Sequence, residues 1–303
     1  MDKKVLQDHV DEINDLIEDY LPREDSHNAE LTQAAAYAVQ AGGKRLRPML
    51  MQETYRLFAG GRDEPEILYT FMAAIEFIHT YSLIHADLPA MDNDEYRRGQ
   101  LTVHAKYGEA AGILIGDAML NYAYEIIFRA IEESDDPEDY LTGISSARVL
   151  ASKAGMYGMV GGQYLDVYAE KHDGFTVDES CMDYIYRNKT SALIEASMMI
   201  GAILAGAGAP EVEAVEYMAR NIGYAFQIRD DILDVTGSQD ILGKPVGSDE
   251  KNEKQTYVAL HGLGKAQEAV KEYSGTALKV FDSLGRRNPF LRDLIVTLIE
   301  REK

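Results

Sequence analysis

The hydrophobic residues of this chain recur at the three- and four-residue spacing that is typical of amphipathic helices. Near the N-terminus one helical face carries apolar residues and the other carries aspartates and glutamates; the apolar residues are Leu6, Val10, Ile13, Ile17 and Leu21. Similar faces recur at residues 44–57, 67–85, 110–131, 140–159, 180–204, 212–235 and 291–299. Convincing alternation with a period of two is absent. The pattern therefore predicts an all-α protein of about ten or more helices.

Turn signals separate the predicted helices. Glycine, proline and aspartate cluster at residues 60–61, 134–137, 172–174, 206–210 and 288–289. None of these turns is long enough to be an interdomain linker, and no internal repeat is visible. We therefore expect residues 1–303 to form a single domain with one core.

Composition narrows the possible functions. The chain has 51 acidic and 30 basic residues, a formal net charge of -21, which argues against nucleic acid or an anionic membrane as the main partner. Cys181 is the single cysteine, so no intrachain disulfide forms, and this suits a reducing cytoplasm. The longest weakly polar run, residues 196–210, is too short and too rich in Gly and Ala for a membrane span. We expect a cytoplasmic protein without a membrane span.

Two acidic clusters give the sharpest functional signal. The cluster at residues 227–234 contains Asp230, Asp231 and Asp234, and the first and last of these lie on one helix face because they are four residues apart. Neighbouring carboxylates repel each other unless a cation bridges them. Magnesium suits this pair, because it takes oxygen ligands and often shares them with substrate phosphates. A solvated charged face is the alternative, but these aspartates interrupt apolar residues, which favours a site.

The other acidic cluster lies at residues 84–99 and contains Asp87 and Asp92. On an unbroken helix, positions 86 and 92 would differ by about 600° and face apart. Pro89 lies between them and cannot donate a helical hydrogen bond, so it breaks or kinks the turn. We therefore expect the break to bring positions 86 and 92 together.

Basic residues accompany both acidic clusters. Lys44 and Arg47 are three residues apart and share a face at the start of a helix that follows Gly42-Gly43. The other basic residues near the two clusters are Arg97, Arg98, Lys244 and Lys254. Arginine binds phosphate through two parallel hydrogen bonds and lysine adds a point charge, so the set predicts a diphosphate site.

These motifs, in this order, resemble those of the trans-prenyl diphosphate synthases, and most of all the bacterial members that make farnesyl diphosphate. Residues 42–48 match that family's Gly-Gly-Lys-x-x-Arg-Pro, and residues 77–85 match its approach to the first aspartate motif. Later matches follow in family order, at Gly162-Gln163 with Asp166, Lys189-Thr190, residues 227–234, and Gly243-Lys244 through Lys254. The resemblance covers nearly the whole chain. It implies an isoprenoid-synthase-type helical bundle around a deep central cavity, usually as a homodimer.

The resemblance also implies roles for individual residues. The isopentenyl diphosphate site would consist of Lys44, Arg47, His79 and Arg98. The allylic diphosphate would be bound by Arg97, Lys189 and Lys254, with Lys244 and Gln163 close to it. The ligands of magnesium, at three ions per site, would be Asp87, Asp92, Asp230, Asp231 and Asp234. The residues acting on the reacting centre would be Lys189, Thr190 and Gln227, the last two as dipoles that face the carbocation.

The implied reaction joins isopentenyl diphosphate to dimethylallyl or geranyl diphosphate and yields farnesyl diphosphate after magnesium-assisted ionisation. The family's first motif begins with two aspartates, whereas this chain has Ala86-Asp87. The missing carboxylate resembles a direct metal ligand, so we expect impaired catalysis. We expect the fold to be intact, because Ala is an excellent helix former. An engineered change and a natural loss of activity would look alike here.

Product length and two rival functions stay open. Tyr81 lies five residues before Ala86, about 7.5 Å back along a helix, where its ring would stop the growing prenyl tail; Ser82 obstructs less. This favours a fifteen-carbon product over the twenty-carbon geranylgeranyl diphosphate. Ala86 also permits a non-catalytic subunit that binds prenyl diphosphates. A terpene cyclase is disfavoured, because it would not need the second diphosphate site that the basic residues provide.

Overall fold

The computed structural model describes residues 2–23, 26–172, 174–236 and 255–300. Within these ranges helices dominate, and the all-α prediction is confirmed. The chain divides into two compact units. The N-terminal unit comprises Asp2–Gln52 and Arg62–Ala147, and the C-terminal unit comprises Glu53–Gly61 and Arg148–Lys303. The expectation of a single domain stays a prediction.

The N-terminal unit is built around a long buried helix. Its helices are α1 (Lys3–Asp19), α2 (Ala29–Gln40), the first part of α3 (Leu46–Ala59), α4 (Glu66–Ala86), α5 (Val103–Tyr107), α6 (Glu109–Glu133) and the first part of α7 (Pro137–Ala154). The apolar face predicted for α1 is buried at Val10, Ile13 and Ile17. Helix α4 packs on α6 and is buried nearly all round, which explains its continuous apolar sequence.

A short antiparallel hairpin follows the first acidic cluster. Strand β1 (Tyr96–Arg97) pairs with β2 (Gln100–Leu101). Arg98 and Gly99 form the turn with φ of 55° and 78°, and positive φ at both central residues is what a type I′ hairpin turn requires. Two-residue strands leave no detectable alternation in a sequence, so the pattern analysis could not find them. The hairpin places Arg97 and Arg98 in the N-terminal unit.

The C-terminal unit is a set of helices packed around α11. Its elements are α8 (Met159–Lys171), α9 (Glu179–Ile185), a π-helix (Tyr186–Ser191), α10 (Ala192–Leu204), α11 (Ala209–Thr236), α12 (Tyr257–His261), α13 (Leu263–Ser283) and α14 (Pro289–Glu300). Helix α11 packs on α10 and α13. The continuous helical face predicted over 140–159 is wrong, because α7 ends at Ala154 and α8 begins at Met159. Gly155 and Gly158 lie in this break, where glycine weakens a helix.

Two glycines allow neighbouring helices to approach the π-helix closely. A Cβ atom at Gly162 of α8 would lie 2.2 Å from the backbone nitrogen of Lys189. A Cβ atom at Gly223 of α11 would lie 2.3 Å from Oγ and 2.7 Å from Cα of Ser191. Neither position therefore has room for a side chain. The close packing fixes a π-turn, a type of segment that is frequent at functional sites, and this one carries Lys189 and Thr190.

Replacement of Gly223 by Ala is expected to destabilise the fold by about 1–3 kcal/mol, because the new methyl group meets backbone that cannot rotate away. Gly275 of α13 is the matched control, since a Cβ atom there meets nothing within 4 Å. Gly275→Ala should raise stability by about 0.5–1 kcal/mol. Urea unfolding measures both changes. Equal midpoints for the two variants would contradict the tight packing at the π-helix.

Two described helices are long and apolar enough to cross a membrane by length and composition alone, Glu66–Ala86 and Glu109–Glu133. In α4, 78% of the apolar window is buried inside the protein, as in a core helix of a soluble protein. In α6 the buried share is 39%, and the apolar residues Ile113, Leu114 and Phe128 are exposed. These two helices are weak grounds for a membrane span.

Candidate active site

The first acidic cluster begins where α4 ends. The helix stops at Ala86, three residues before Pro89, and the chain then turns back on itself. The backbone N–H of Asp92 donates a hydrogen bond of 2.9 Å to the carbonyl of Ala86. The predicted approach of positions 86 and 92 is therefore confirmed. Asp92 is exposed at this point of the turn.

Asp87 points away from solvent and binds Arg97. The guanidinium Nε donates to both carboxylate oxygens of Asp87, at 2.7 and 2.9 Å, and Nη2 donates to Oδ1. Asp87 is 3% exposed, and burial raises the pKa of its carboxyl although Arg97 opposes the rise. Burial alone would lower the pKa of Arg97, but the Asp87 carboxylate raises it overall. The structure thus shows this pair as an internal ion pair, and their predicted metal and allylic roles stay predictions.

Three predicted ligands of isopentenyl diphosphate come together in the N-terminal unit, namely Arg47, His79 and Arg98. Burial and the charges of Arg47 and Arg98 hold the pKa of His79 well below its usual value. Burial and, to a smaller extent, the charge of Arg98 lower the pKa of Arg47 to about 10, although Glu76 opposes the fall. The Nε atom of Arg47 is buried and has no hydrogen-bond partner among the residues that the structure describes. A cationic cluster with an unsatisfied buried donor is the environment that an anion would complete.

Arg98 links this cluster to the turn at Gly42. Arg98 donates a hydrogen bond to the carbonyl of Gly42, and burial lowers its pKa. Lys44 is exposed just before α3. The structure therefore joins the Gly42 turn to the hairpin through an arginine that the sequence assigned to substrate.

Arg45 anchors the same turn and was missed by the sequence analysis. It is 4% exposed with φ of 45°, and its guanidinium lies 2.7 Å from the Glu76 carboxylate. It also donates to Asn14 and to the carbonyl of Val39. No sequence signal separates Arg45 from its basic neighbours, because the difference lies in its backbone conformation. Its buried ion pair holds the turn that presents Arg47.

The C-terminal unit brings together the three residues predicted to act on the reacting centre. The Lys189 ammonium donates to the buried carboxylate of Asp166. Thr190 Oγ1 donates a 2.7 Å hydrogen bond to Oε1 of Gln227. The Nε2 atom of Gln163 is buried and has no partner within the described part of the chain. These polar groups are in place for a ligand with anionic and cationic portions.

The carboxylate of Asp231 accepts hydrogen bonds from three donors in the part of the chain that the structure describes. Gln227 Nε2 donates to Oδ1 at 3.1 Å, while the Tyr186 hydroxyl and the Tyr257 backbone N–H, the latter at 3.1 Å, donate to Oδ2. Asp231 is 3% exposed. Burial and the Asp231 carboxylate raise the pKa of Tyr186. Tyr186 belongs to none of the sequence motifs that predicted the site, so no sequence signal identified it.

The remaining carboxylates suit a divalent cation. In the N-terminal unit Asp92 is exposed, so its oxygens can reach a cation that also keeps water ligands. In the C-terminal unit Asp230 is exposed and Asp234 is partly exposed, and the same holds for them. Among the described residues no group of three or more His, Cys, Asp or Glu is arranged to hold a metal by itself. Lys244 and Lys254 lie outside the described residues.

The predicted chain-length residues lie on α4, before the first acidic cluster. Tyr81 is 5% exposed, and its hydroxyl is buried without a partner in the described ranges. Burial and neighbouring Tyr124 raise the pKa of Tyr81 to about 12. Ser82 donates a 2.7 Å hydrogen bond to the carbonyl of His79. Tyr81 therefore has the dry surroundings that a prenyl tail requires.

Comparisons with known proteins agree with the site's chemistry. The model of the polyprenyl synthetase family matches residues 28–282. The chain is 46% identical over 240 residues to a farnesyl diphosphate synthase of Geobacillus stearothermophilus. This match covers 79% of this chain and 78% of that protein. It is 40% identical over 280 residues to the farnesyl diphosphate synthase of Escherichia coli (strain K12), with 91% of each chain covered. A geranyltransferase of Helicobacter pylori, solved in complex with magnesium and isoprenyl diphosphate, matches with a TM-score of 0.82 and 29% identity over 98% of this chain and 95% of that one.

Proposed function

The chain belongs to the polyprenyl synthetase family, and we propose that it is a prenyltransferase that condenses isopentenyl diphosphate with dimethylallyl or geranyl diphosphate to give farnesyl diphosphate. Magnesium is the general cofactor of this family. We propose three ions per site, as the resemblance implies. The relatives named above support the reaction class, and the site residues support the assignment of roles.

The cationic cluster of Arg47, His79 and Arg98 carries this proposal. Its members depress one another's affinity for protons, and Arg47 has a buried donor atom with no acceptor in the described structure. A cluster of this kind costs stability unless an anion enters it. A diphosphate supplies several negative oxygens in the geometry that arginine prefers. We therefore assign isopentenyl diphosphate to the N-terminal unit, with exposed Lys44 as a fourth ligand.

The other residues act on the allylic substrate. Each unit offers carboxylates to magnesium, Asp92 in the N-terminal unit and Asp230 and Asp234 in the C-terminal unit, and the metal when bound would neutralise the charge that builds on the departing diphosphate. Lys189, oriented by Asp166, adds a fixed cation for the same charge. Thr190 and the Gln227 carbonyl present oxygen dipoles to the allylic cation after its C–O bond breaks. The new C–C bond then forms with isopentenyl diphosphate, and the released diphosphate takes up the lost proton.

Ala86 is expected to impair this chain rather than change its reaction. The position lies beside Asp92 and lacks the carboxylate that relatives of this family are expected to carry there. A non-catalytic subunit that binds prenyl diphosphates is the alternative that this position favours. The retained Asp230, Asp231 and Asp234 support the enzyme, since a subunit that only binds prenyl diphosphates has no need for metal-assisted ionisation.

The proposed function is tested by product analysis. The chain and its Ala86→Asp variant are incubated with isopentenyl diphosphate, geranyl diphosphate and magnesium, and the extracted products are identified by mass spectrometry after dephosphorylation. Farnesol from the variant, abolished by EDTA and restored by magnesium, is the expected result. Calorimetry with isopentenyl diphosphate runs in parallel. Binding without product, even from Ala86→Asp, would reject the enzyme and support the non-catalytic subunit.

Replacement of Tyr81 by Ala is expected to shift the main product of Ala86→Asp from fifteen to twenty carbons or more. The hydroxyl of this buried ring has no hydrogen-bond partner among the described residues, so its removal mainly opens space along α4. Ser82→Ala is the matched control, because this side chain bonds the helix backbone and should leave chain length unchanged. Chromatography of the dephosphorylated products gives the lengths. An unchanged length in Tyr81→Ala would show that another residue ends the tail.

We also propose a cytoplasmic homodimer. Ile113, Leu114 and Phe128 are 47%, 61% and 54% exposed and lie on one side of α6, and burial of such residues favours association of two copies. The single cysteine and the charge of -21 suit the cytoplasm.

A further inference from the structure

We propose that Tyr186 is a positioning residue which, through Asp231, fixes the orientation of the Gln227 side-chain amide next to Thr190. The inference rests on the proposed function, because it concerns how that site directs an oxygen dipole. It differs from the sequence prediction for Asp231, which assigned this residue to magnesium. A series of hydrogen bonds connects Thr190 through Gln227 and Asp231 to Tyr186.

The carboxylate of Asp231 is buried and accepts hydrogen bonds at both of its oxygens. Oδ1 accepts from Gln227 Nε2 at 3.1 Å, and Oδ2 accepts from the Tyr186 hydroxyl and from the Tyr257 backbone N–H. With 3% exposure, the carboxylate is shielded from water. Asp230, its neighbour, is exposed. The geometry gives Asp231 a role inside the protein, whereas Asp230 can reach a ligand in solvent.

The Asp231 carboxylate sets the orientation of the Gln227 amide. An ionised carboxylate only accepts hydrogen bonds, so it binds the NH₂ end of Gln227 and repels the carbonyl end. Gln227 Oε1 must then point the other way, where it accepts the 2.7 Å hydrogen bond from Thr190 Oγ1. Without Asp231 both orientations of the amide would be open. Asp231 thus decides which end of the Gln227 dipole lies next to Thr190.

The position of the Asp231 carboxylate is fixed in turn by Tyr186. Tyr186 is the first residue of the π-helix, and its ring is 7% exposed, so its hydroxyl has little freedom to move. The Tyr257 N–H donates to the Tyr186 oxygen at 2.9 Å as well as to Asp231. Tyr186 therefore binds the carboxylate and also binds the backbone group that donates to it. Loss of this hydroxyl removes one donor from Oδ2 and one acceptor from Tyr257.

The consequence is electrostatic. A carbonyl oxygen that faces an allylic cation stabilises it, whereas an NH₂ group in the same place repels it. A dipole that is fixed before the reaction needs no reorganisation when charge develops. Tyr186 is thus expected to affect the rate of ionisation and not the binding of the two diphosphates.

The test compares Tyr186→Phe with Tyr224→Phe, both in the Ala86→Asp background. Tyr224 is the matched control, because its hydroxyl also donates to an aspartate, but that aspartate is Asp183 and not the Asp231 that binds Gln227. Tyr186→Phe should lower kcat by about tenfold or more with unchanged KM for both diphosphates, since the dipole acts in the transition state. Tyr224→Phe should leave kcat within about twofold.

Two readouts separate positioning from general loss of structure. First, Tyr186→Phe should cost little when Gln227 is already Ala, because a residue that acts through another gives a non-additive double variant. Second, hydrogen exchange of the Tyr257 amide, followed by NMR without substrate, should accelerate about tenfold in Tyr186→Phe and not in Tyr224→Phe. Additive losses of kcat, or an unchanged Tyr257 amide, would overturn the inference.

The exchange measurement also keeps the two proposals apart. If neither Ala86→Asp nor Tyr224→Phe forms a prenyl product, the proposed function fails, and the Tyr257 amide still decides whether Tyr186 holds Asp231. If both form product and Tyr186→Phe matches them in kcat, the proposed function stands and the inference about Tyr186 is overturned.

Discussion

Replacement of Ala86 by Asp is expected to raise kcat by about 10²–10⁴-fold, the effect of roughly 3–5 kcal/mol of transition-state stabilisation. The new carboxylate would leave the end of α4 beside Asp92, whose N–H already bonds the carbonyl of residue 86. Two carboxylates at this point share a cation better than one, because each alone leaves the charge half balanced. The gain should be greatest at low magnesium, where the present chain binds the ion poorly.

The measurement is steady-state turnover against magnesium concentration for Ala86→Asp, Ala86→Asn and the present chain. Ala86→Asn is the control, because it adds a side chain of similar size without the charge. It should recover only a small part of the rate. Equal turnover for Ala86→Asp and the present chain would show that residue 86 contributes no ligand. A full recovery by Ala86→Asn would assign the effect to shape and not to charge.

Replacement of Arg47 by Met is expected to have opposite effects on binding and on stability. The variant should raise KM for isopentenyl diphosphate at least 100-fold, because a bidentate charged contact is lost. Without ligand it should be more stable by about 1–3 kcal/mol, since the cost of an unsatisfied buried donor disappears. Both effects follow from the same buried Nε atom.

Arg45→Met is the matched control for the stability measurement. Arg45 belongs to the same basic run but pairs with Glu76 at 2.7 Å, with both side chains 3% exposed. Its removal leaves a buried carboxylate without a partner and should cost about 3–5 kcal/mol. In urea unfolding without ligand, the free energy of unfolding should therefore rise in Arg47→Met and fall in Arg45→Met. A destabilised Arg47→Met with unchanged KM would make Arg47 structural and remove it from the substrate site.

The helical architecture was predictable because apolar spacing reports directly on helix faces. The face on α1 and the approach of positions 86 and 92 around Pro89 are both found in the structure. The break between α7 and α8 and the π-helix were not predictable, since each changes the phase of a helix without interrupting its apolar character. Backbone irregularities of one or a few residues are invisible to an average over a window.

The sequence motifs do not show which of the aspartates are buried and which are exposed. In the sequence, Asp87 and Asp231 are equivalent to the other acidic residues of their clusters. In the structure both are 3% exposed, whereas Asp92 and Asp230 are exposed. Their partners, Arg97 and Tyr186, lie 10 and 45 residues away in the chain. Spacing predicts which face of a helix a residue lies on, but only the tertiary fold decides which side chains pack against that face.

The π-helix also makes the gene unusually sensitive at one place. A π-turn holds one more residue than the α-turn it replaces, so loss of a single codon within Tyr186–Ser191 would leave an ordinary helix. The segments on both sides would stay in phase, because the π-turn absorbs its extra residue within one turn, but Lys189 and Thr190 would lose the position that the π-turn gives them. A short reading-frame-preserving deletion there would silence the chemistry and leave a chain that still expresses as a folded protein.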